Sequence, residues 1–159
     1  MTNKQSEVGF EAKQQVHDFW NEAACGESLY LNDIDQVGYL AQAAERYRLE
    51  PEILPFADFS AAKGRKILEI GVGLGAEHQK FAEAGADLYG IDLTARAVEH
   101  TFRRLSLFGL SSQLAVGDAE NLDFPDESFD IVYSWGVLHH SPDTPKAVSE
   151  VHRVLNRGE

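Results

Sequence analysis

Cysteine is almost absent from this chain. Cys25 is the only one among 159 residues, so no intrachain disulfide can form and a cysteine metal cluster is excluded. Cys25 reads as a half-buried loop thiol, since a nucleophilic thiol needs a neighbouring base or cation and the sequence places none beside it. Long apolar runs are missing too. None approaches the ~20 residues that cross a bilayer, and residues 1–10 lack the apolar centre of a signal peptide. A cytoplasmic location is therefore expected. Positive charge is scarce: 14 Lys and Arg face 26 Asp and Glu, a net charge of −12. Such a chain is a poor partner for nucleic acid or an anionic membrane. The most basic stretch, residues 96–104, carries Glu99 and falls on an expected helix, where a solvated face accounts for it.

Apolar residues make up 43% of the chain and charged residues 25%, which suffices for one domain with a real core. No repeat or low-complexity tract interrupts it, but two regions differ in character. Residues 1–60 read as helices and loops. Ser6 is placed to cap a helix reaching about Ala24, with Val8, Ala12, Val16, Phe19 and Ala23 spaced for one apolar face. A second helix is expected over 33–49, stopping before Pro51 because the residue preceding proline disfavours the α region. From Lys66 the pattern changes to strand, glycine turn and helix, repeated. Strands are expected at 66–70, 87–91, 113–116 and 129–134, and helices at 76–84, 94–108 and 145–155. This alternation predicts an α/β fold with a doubly wound parallel sheet and helices on both faces. Ligands of such sheets bind beyond the carboxyl ends of the strands, so the residues just after each strand are the informative ones.

The first of these segments is Lys66-Ile-Leu-Glu-Ile-Gly-Val-Gly-Leu-Gly75. Glycines at 71, 73 and 75 allow a tight turn and close approach of backbone to ligand. The next helix then aims free N–H groups at whatever lies there. Gly71, Gly73 and Ala76 also satisfy the dinucleotide pattern G-x-G-x-x-G/A. Glu69 and Glu77 flank the loop, however, and both sit badly beside a pyrophosphate. A ligand with an ammonium group and one carboxylate, but no phosphate, suits them better. Asp92 ends the second strand, 21 residues after Gly71, where a carboxylate can accept from both ribose hydroxyls. It could instead cap the following helix, although Thr94 can do that. Asp118, after the third strand, is placed to accept from an exocyclic amine such as that of adenine, while the Ala119 N–H donates to the ring. Its alternative is a turn-capping aspartate.

Taken together, Glu-x-Gly-x-Gly-x-Gly at 69–75, Gly-x-Asp at 90–92, Gly-Asp-Ala-Glu-Asn-Leu at 117–122, Phe-Asp-x-Val at 129–132, Leu-His-His at 138–140 and Glu-Val-x-Arg-Val-Leu at 150–155 resemble the successive motifs of class I S-adenosylmethionine-dependent methyltransferases. The resemblance covers about residues 66–158. It implies a Rossmann-like sheet with S-adenosyl-L-methionine as cofactor and a small-molecule methyl acceptor. Glu69, Gly71, Gly73 and Gly75 would line the methionine moiety. Asp92 would hold the ribose, and Leu93 would pack on adenine. Asp118 and Ala119 would contact adenine, while Ser134, Trp135 and Val137 would lie near the sulfonium. Residues 1–60 are similar to the N-terminal lid of many members, with Tyr30 and Tyr39 either near the cofactor or packing. Residues 61–159 would form the cofactor-binding domain.

In this family a nucleophile displaces the methyl group in line, so alignment and a dry site matter most. His139 and His140 are candidate general bases, at the carboxyl end of a strand with near-neutral pKa. One of them could equally pack while the other faces solvent. A two-histidine metal site is not expected, because adjacent side chains point apart. The sequence departs from the family in holding four of the usual seven strands, with 156–159 resembling the turn before a fifth. That implies an exposed edge at the fourth strand, weak or absent turnover, and self-association through that edge. Two readings compete with the enzyme: a cofactor-binding module without turnover, and a dinucleotide-dependent oxidoreductase.

Overall fold

The computed structural model describes residues 4–24 and 26–156. Cys25 and the expected turn beyond Asn156 lie outside them. The first half is helical: α1 (Lys4–Glu22), α2 (Glu27–Tyr30), α3 (Gln36–Leu49), α4 (Ile53–Ala57) and a 3₁₀ turn, Phe59–Ala62. Then β1 (Lys66–Ile70), α5 (Ala76–Glu83), β2 (Asp87–Asp92), α6 (Ala95–Leu107), β3 (Gln113–Val116), β4 (Ile131–Tyr133), a 3₁₀ turn at Leu138–His140 and α7 (Thr144–Val154) follow. The four strands form one parallel sheet in the order β3-β2-β1-β4. The chain leaves β1 toward β2 and β3 on one side and returns to β4 on the other. Strand order therefore reverses beside β1, and that crevice is where a ligand is expected.

Alternation along β1 builds the two cores. Ile67 packs with Ala62, Phe81, Leu88 and Tyr133 on one face. Leu68 and Ile70 pack with Ile91, Leu122, Phe129 and Val154 on the other. Each helix has a local reason to begin where it does. Thr94 caps α6 by accepting from Ala97 N, and Asp143 caps α7 by accepting from Lys146 N, with Pro145 in the first turn. Asp35 caps α3, so that helix starts at Gln36 and not at residue 33.

The other differences from expectation also have physical causes. Helix α1 begins at Lys4, so Ser6 lies within its first turn and not at its cap. Its inward side carries Val16 and Trp20, whereas Phe19 is 66% exposed. The expected apolar face shares Val16 with this side but not Lys13 or Trp20. Strand β4 is shorter than 129–134. Phe129 pairs instead with Leu155 as the chain leaves α7, and Asn156 N donates to Phe129 O. β4 lies at the edge of the sheet. The 3₁₀ turn spans residues 60 and 61, with Ala62 buried against Ile67 and Phe81. The basic stretch 96–104 is not a uniformly solvated face. Arg104 is 1% exposed, and its guanidinium donates to Tyr39 O, Gln42 Oε1, Leu74 O and Gln79 Oε1. It bolts α3 to the glycine loop and α5. Among the described residues no helix is long and apolar enough to cross a membrane.

Candidate functional site

A cavity of about 210 Å³ opens at the carboxyl ends of β1, β2 and β3. The loop after β1 forms its floor. Gly71, Gly73 and Gly75 all have positive φ, at 84°, 52° and 75°, a region that a side chain makes costly. Crowding adds a second constraint at two of them. A Cβ at Gly71 would meet Val137 Cγ2 at 2.2 Å, and one at Gly75 would meet Thr101 Oγ1 at 2.9 Å. At Gly73 nothing stands within 4 Å of that position, so bare backbone faces the cavity. The loop is thus held by packing on both sides and open in the middle.

Asp92 lines the cavity at the end of β2. Its Oδ2 accepts from Gly73 N at 3.2 Å, and its Oδ1 accepts from Thr94 N and Oγ1 at 3.0 Å. The carboxylate braces the glycine loop and keeps lone pairs for further donors. Leu93, Gly117, Asp118 and Ala119 border the same space. Asp118 Oδ1 accepts from Glu120 N at 2.9 Å, and its Oδ2 accepts from Lys13 Nζ at 2.5 Å. Lys13 also donates to Glu120 Oε2 at 2.7 Å. Burial opposes the charge on Lys13, but hydrogen bonds and charge from Asp118 and Glu120 outweigh it and raise its pKa.

The far end is charged and aromatic. Arg46 of α3 makes a forked pair with Glu77, at 2.9 Å from Nε to Oε1 and 2.9 Å from Nη2 to Oε2, and also reaches Glu50 at 3.3 Å. Trp135 donates from Nε1 to the other Glu50 oxygen at 2.6 Å. All four side chains line the cavity, so one guanidinium and two carboxylates meet where a zwitterion could lie. Sequence patterns had not marked Arg46 or Glu50, because Arg46 on α3 and Glu50 just after it meet the sheet only through tertiary packing. Trp135 also packs on Phe56, with ring centroids 5.2 Å apart.

Three of the expected site residues do not border the cavity. Glu69 shares the face of Ile67 by strand alternation and is buried at 2% exposure. Its Oε2 lies 2.7 Å from Nδ1 of His78, whose Nε2 lies 2.7 Å from Ser112 Oγ. Burial, with help from the charge of Glu77, pushes Glu69 well up, and burial holds His78 down to about 3. Ser134 donates from Oγ to Ile70 O at 3.0 Å and ties β4 to β1. The His139 ring lies tilted against that of His140 at 4.0 Å between centroids, while His140 alone of the two faces the cavity. Burial and the adjacent His139 lower the His140 pKa. Trp20 of α1 meets the His140 ring edge-on at 5.4 Å. Tyr39 is fully buried outside the cavity, its hydroxyl 2.9 Å from Nδ1 of His100.

A doubly wound sheet with a glycine loop, a strand-end carboxylate and a cavity at the switch point defines a nucleoside-cofactor-binding α/β domain. The sequence narrows that class: residues 68–158 match the family described as a methyltransferase domain, and the chain belongs to that family. It is 35% identical over 105 residues to phosphoethanolamine N-methyltransferase 2 of Caenorhabditis elegans, covering 65% of this chain and 24% of that protein. It is 39% identical over 97 residues to phthiotriol/phenolphthiotriol dimycocerosates methyltransferase of Mycobacterium leprae, covering 60% of this chain and 35% of that protein. Among solved structures, the YcgJ protein of Bacillus subtilis superposes with a TM-score of 0.62 at 31% identity, over 67% of this chain and 46% of that one. The chain thus spans about a quarter to a third of the length of these curated relatives.

Proposed function

We propose that this chain provides the S-adenosylmethionine site of a methyltransferase acting on a small-molecule acceptor. The observation that carries this reading is convergence: the loop after β1, Asp92 and Asp118 come from three strands and border one cavity. The donor set suits the cofactor. Backbone exposed at Gly73 and the guanidinium of Arg46 suit a carboxylate, and Glu50 and Glu77 suit an ammonium. Asp92 suits the ribose hydroxyls, Leu93 an adenine face, and Asp118 with Ala119 the adenine edge. A pyrophosphate would instead meet the carboxylates of Glu50 and Glu77, which disfavours a dinucleotide. Glu69 is held by His78 and Ser134 by Ile70 O, outside the cavity, so their part in this reading is to support the strand ends.

Bound S-adenosylmethionine supplies an electrophilic methyl group on a sulfonium. The chain's own part is positional. Trp135 and Val137 shield that end, and α1, with residues 1–60 as a lid over the domain 61–159, excludes water. His140, whose pKa partial loss of solvent and the adjacent His139 lower, can accept a proton from an oxygen or carbon acceptor. The two curated relatives are named for unlike acceptors, so the family alone does not select one. A cytoplasmic location and pairing of β4 edges between two copies complete the reading. Pairing predicts an apparent mass that rises with concentration in sedimentation.

Calorimetric titration with S-adenosylhomocysteine tests it, with NAD as control. Saturable binding of the former, weakened at least about tenfold by Asp92→Ala through loss of charged hydrogen bonds, is expected. Preference for NAD, or no binding by a folded chain, would overturn it.

A further inference from the structure

Among its described side chains, helix α1 meets the rest of the molecule through the polar contacts of Lys13 and through Val16 and Trp20. At its carboxyl end the chain turns at Gly26, with φ of 76°, beside the buried Ala24. There Glu27 accepts from Ala24 N, from Arg96 at 2.7 Å twice, and from His100 Nε2 at 3.1 Å. This knot fixes the turn to α6. Midway along α1, Lys13 bridges Asp118 and Glu120. Glu120 in turn accepts from Ser141 Oγ at 2.5 Å and from Asp143 N at 2.9 Å, on the segment that follows His140. Between the knot and Lys13, Val16 and Trp20 form the roof of the cavity.

We propose that Lys13 is a positioning residue for the cofactor: a latch that closes α1 over the cavity by pairing with the carboxylates at its adenine end. The inference rests on the cofactor reading for the identity of the ligand, whereas the latch itself is a contact within the chain. The geometry gives it two consequences. A ligand amine that binds Asp118 competes with Lys13 for Oδ2, so Lys13 shifts toward Glu120, where its second bond already exists. Because Glu120 also holds Ser141 and Asp143, the shift reaches the segment carrying His140, against which Trp20 rests. Latch and roof therefore lie on one helix, with the knot just beyond its carboxyl end, and opening requires breaking the two-armed ion pair of Lys13.

The test compares the chain with its Lys13→Met and Lys13→Arg variants by two readouts. The first is amide exchange of residues 9–22 without ligand. The second is the rate of S-adenosylhomocysteine association and dissociation, followed by emission of the two tryptophans, Trp20 and Trp135. Lys13→Met should speed α1 exchange and both ligand rates about fivefold, the size of a partly exposed pair. Exchange in β1 and β2 should not change, and Lys13→Arg should restore wild-type behaviour. Unchanged α1 exchange in Lys13→Met would overturn the latch. Faster exchange with unaltered ligand rates would overturn its positioning role and leave a plain surface pair. Should the unaltered chain bind no S-adenosylhomocysteine, the cofactor reading fails, and the exchange comparison still decides the latch.

Discussion

The two halves of this molecule are held together by different physics. The sheet half has an apolar core on each face, with Ile67, Leu68, Ile70, Phe81 and Phe129 at 2% exposure or less. Burial of that kind is non-directional and strong. The helical half adds fewer buried apolar side chains: Ala24, Tyr39, Ala43, Ile53 and Ala62. Besides the ring contacts of Phe59 with Phe81 and of Phe56 with Trp135, it is attached by charged and polar bonds, through Arg104, Arg46, Glu27 and Lys13. Such bonds depend on direction and, at the surface, are individually weak. A rigid floor with a polar-fastened cover can keep a cavity shaped while letting a ligand enter.

The largest expected effect lies in the floor. Leu68→Ala should cost about 3 kcal/mol by cavity formation, read as a lower midpoint in denaturant for both halves together. Arg104→Met comes next. It leaves the buried acceptors Gln42, Gln79, Leu74 O and Tyr39 O short of a donor, at about 2–3 kcal/mol. If the two regions are distinct, the loss should loosen α3 before the sheet, as seen by amide exchange. Simultaneous loosening of the sheet would break the distinction. Gly71→Ala should cost about 2 kcal/mol from its left-handed backbone and the clash with Val137. Adding Val137→Ala should recover the steric part only.

The smallest effect belongs to the knot. Hydrogen bonds from Arg96 hold Glu27 down to about 2, below its ordinary 4.5. A carboxyl depressed in the folded state stabilises it above the unfolded pKa, and that contribution disappears as pH falls from 4.5 toward 2. Glu27→Gln should remove about 1 kcal/mol at neutral pH and make α2 and the end of α1 less sensitive to acid over that window. Circular dichroism melts at pH 6 and pH 3.5 would check it.

The same contrast decides what was legible in the sequence. The strands and their alternation with helices follow from local periodicity, and Gly71, Gly73, Asp92 and Asp118 sit at or just after strand ends, so motif spacing carried them to the cavity. The cover was not legible in the same way. Lys13 meets Asp118 from 105 positions away, and Arg104 meets Tyr39 from 65 away. A charged residue expected in solvent and one buried among carbonyls look alike when only neighbours in the chain are read. Glu69 shows the converse: its motif is legible, but strand alternation turns it toward His78 and away from the cavity.

The most direct test of a sheet-built site under a polar-fastened cover is an amide-exchange map of the chain with and without saturating S-adenosylhomocysteine. The account predicts slowed exchange in two places at once: at 71–76, 92–94 and 117–119, and across residues 9–22 of α1. Protection that spared the three strand-end loops while the ligand was demonstrably bound would contradict it.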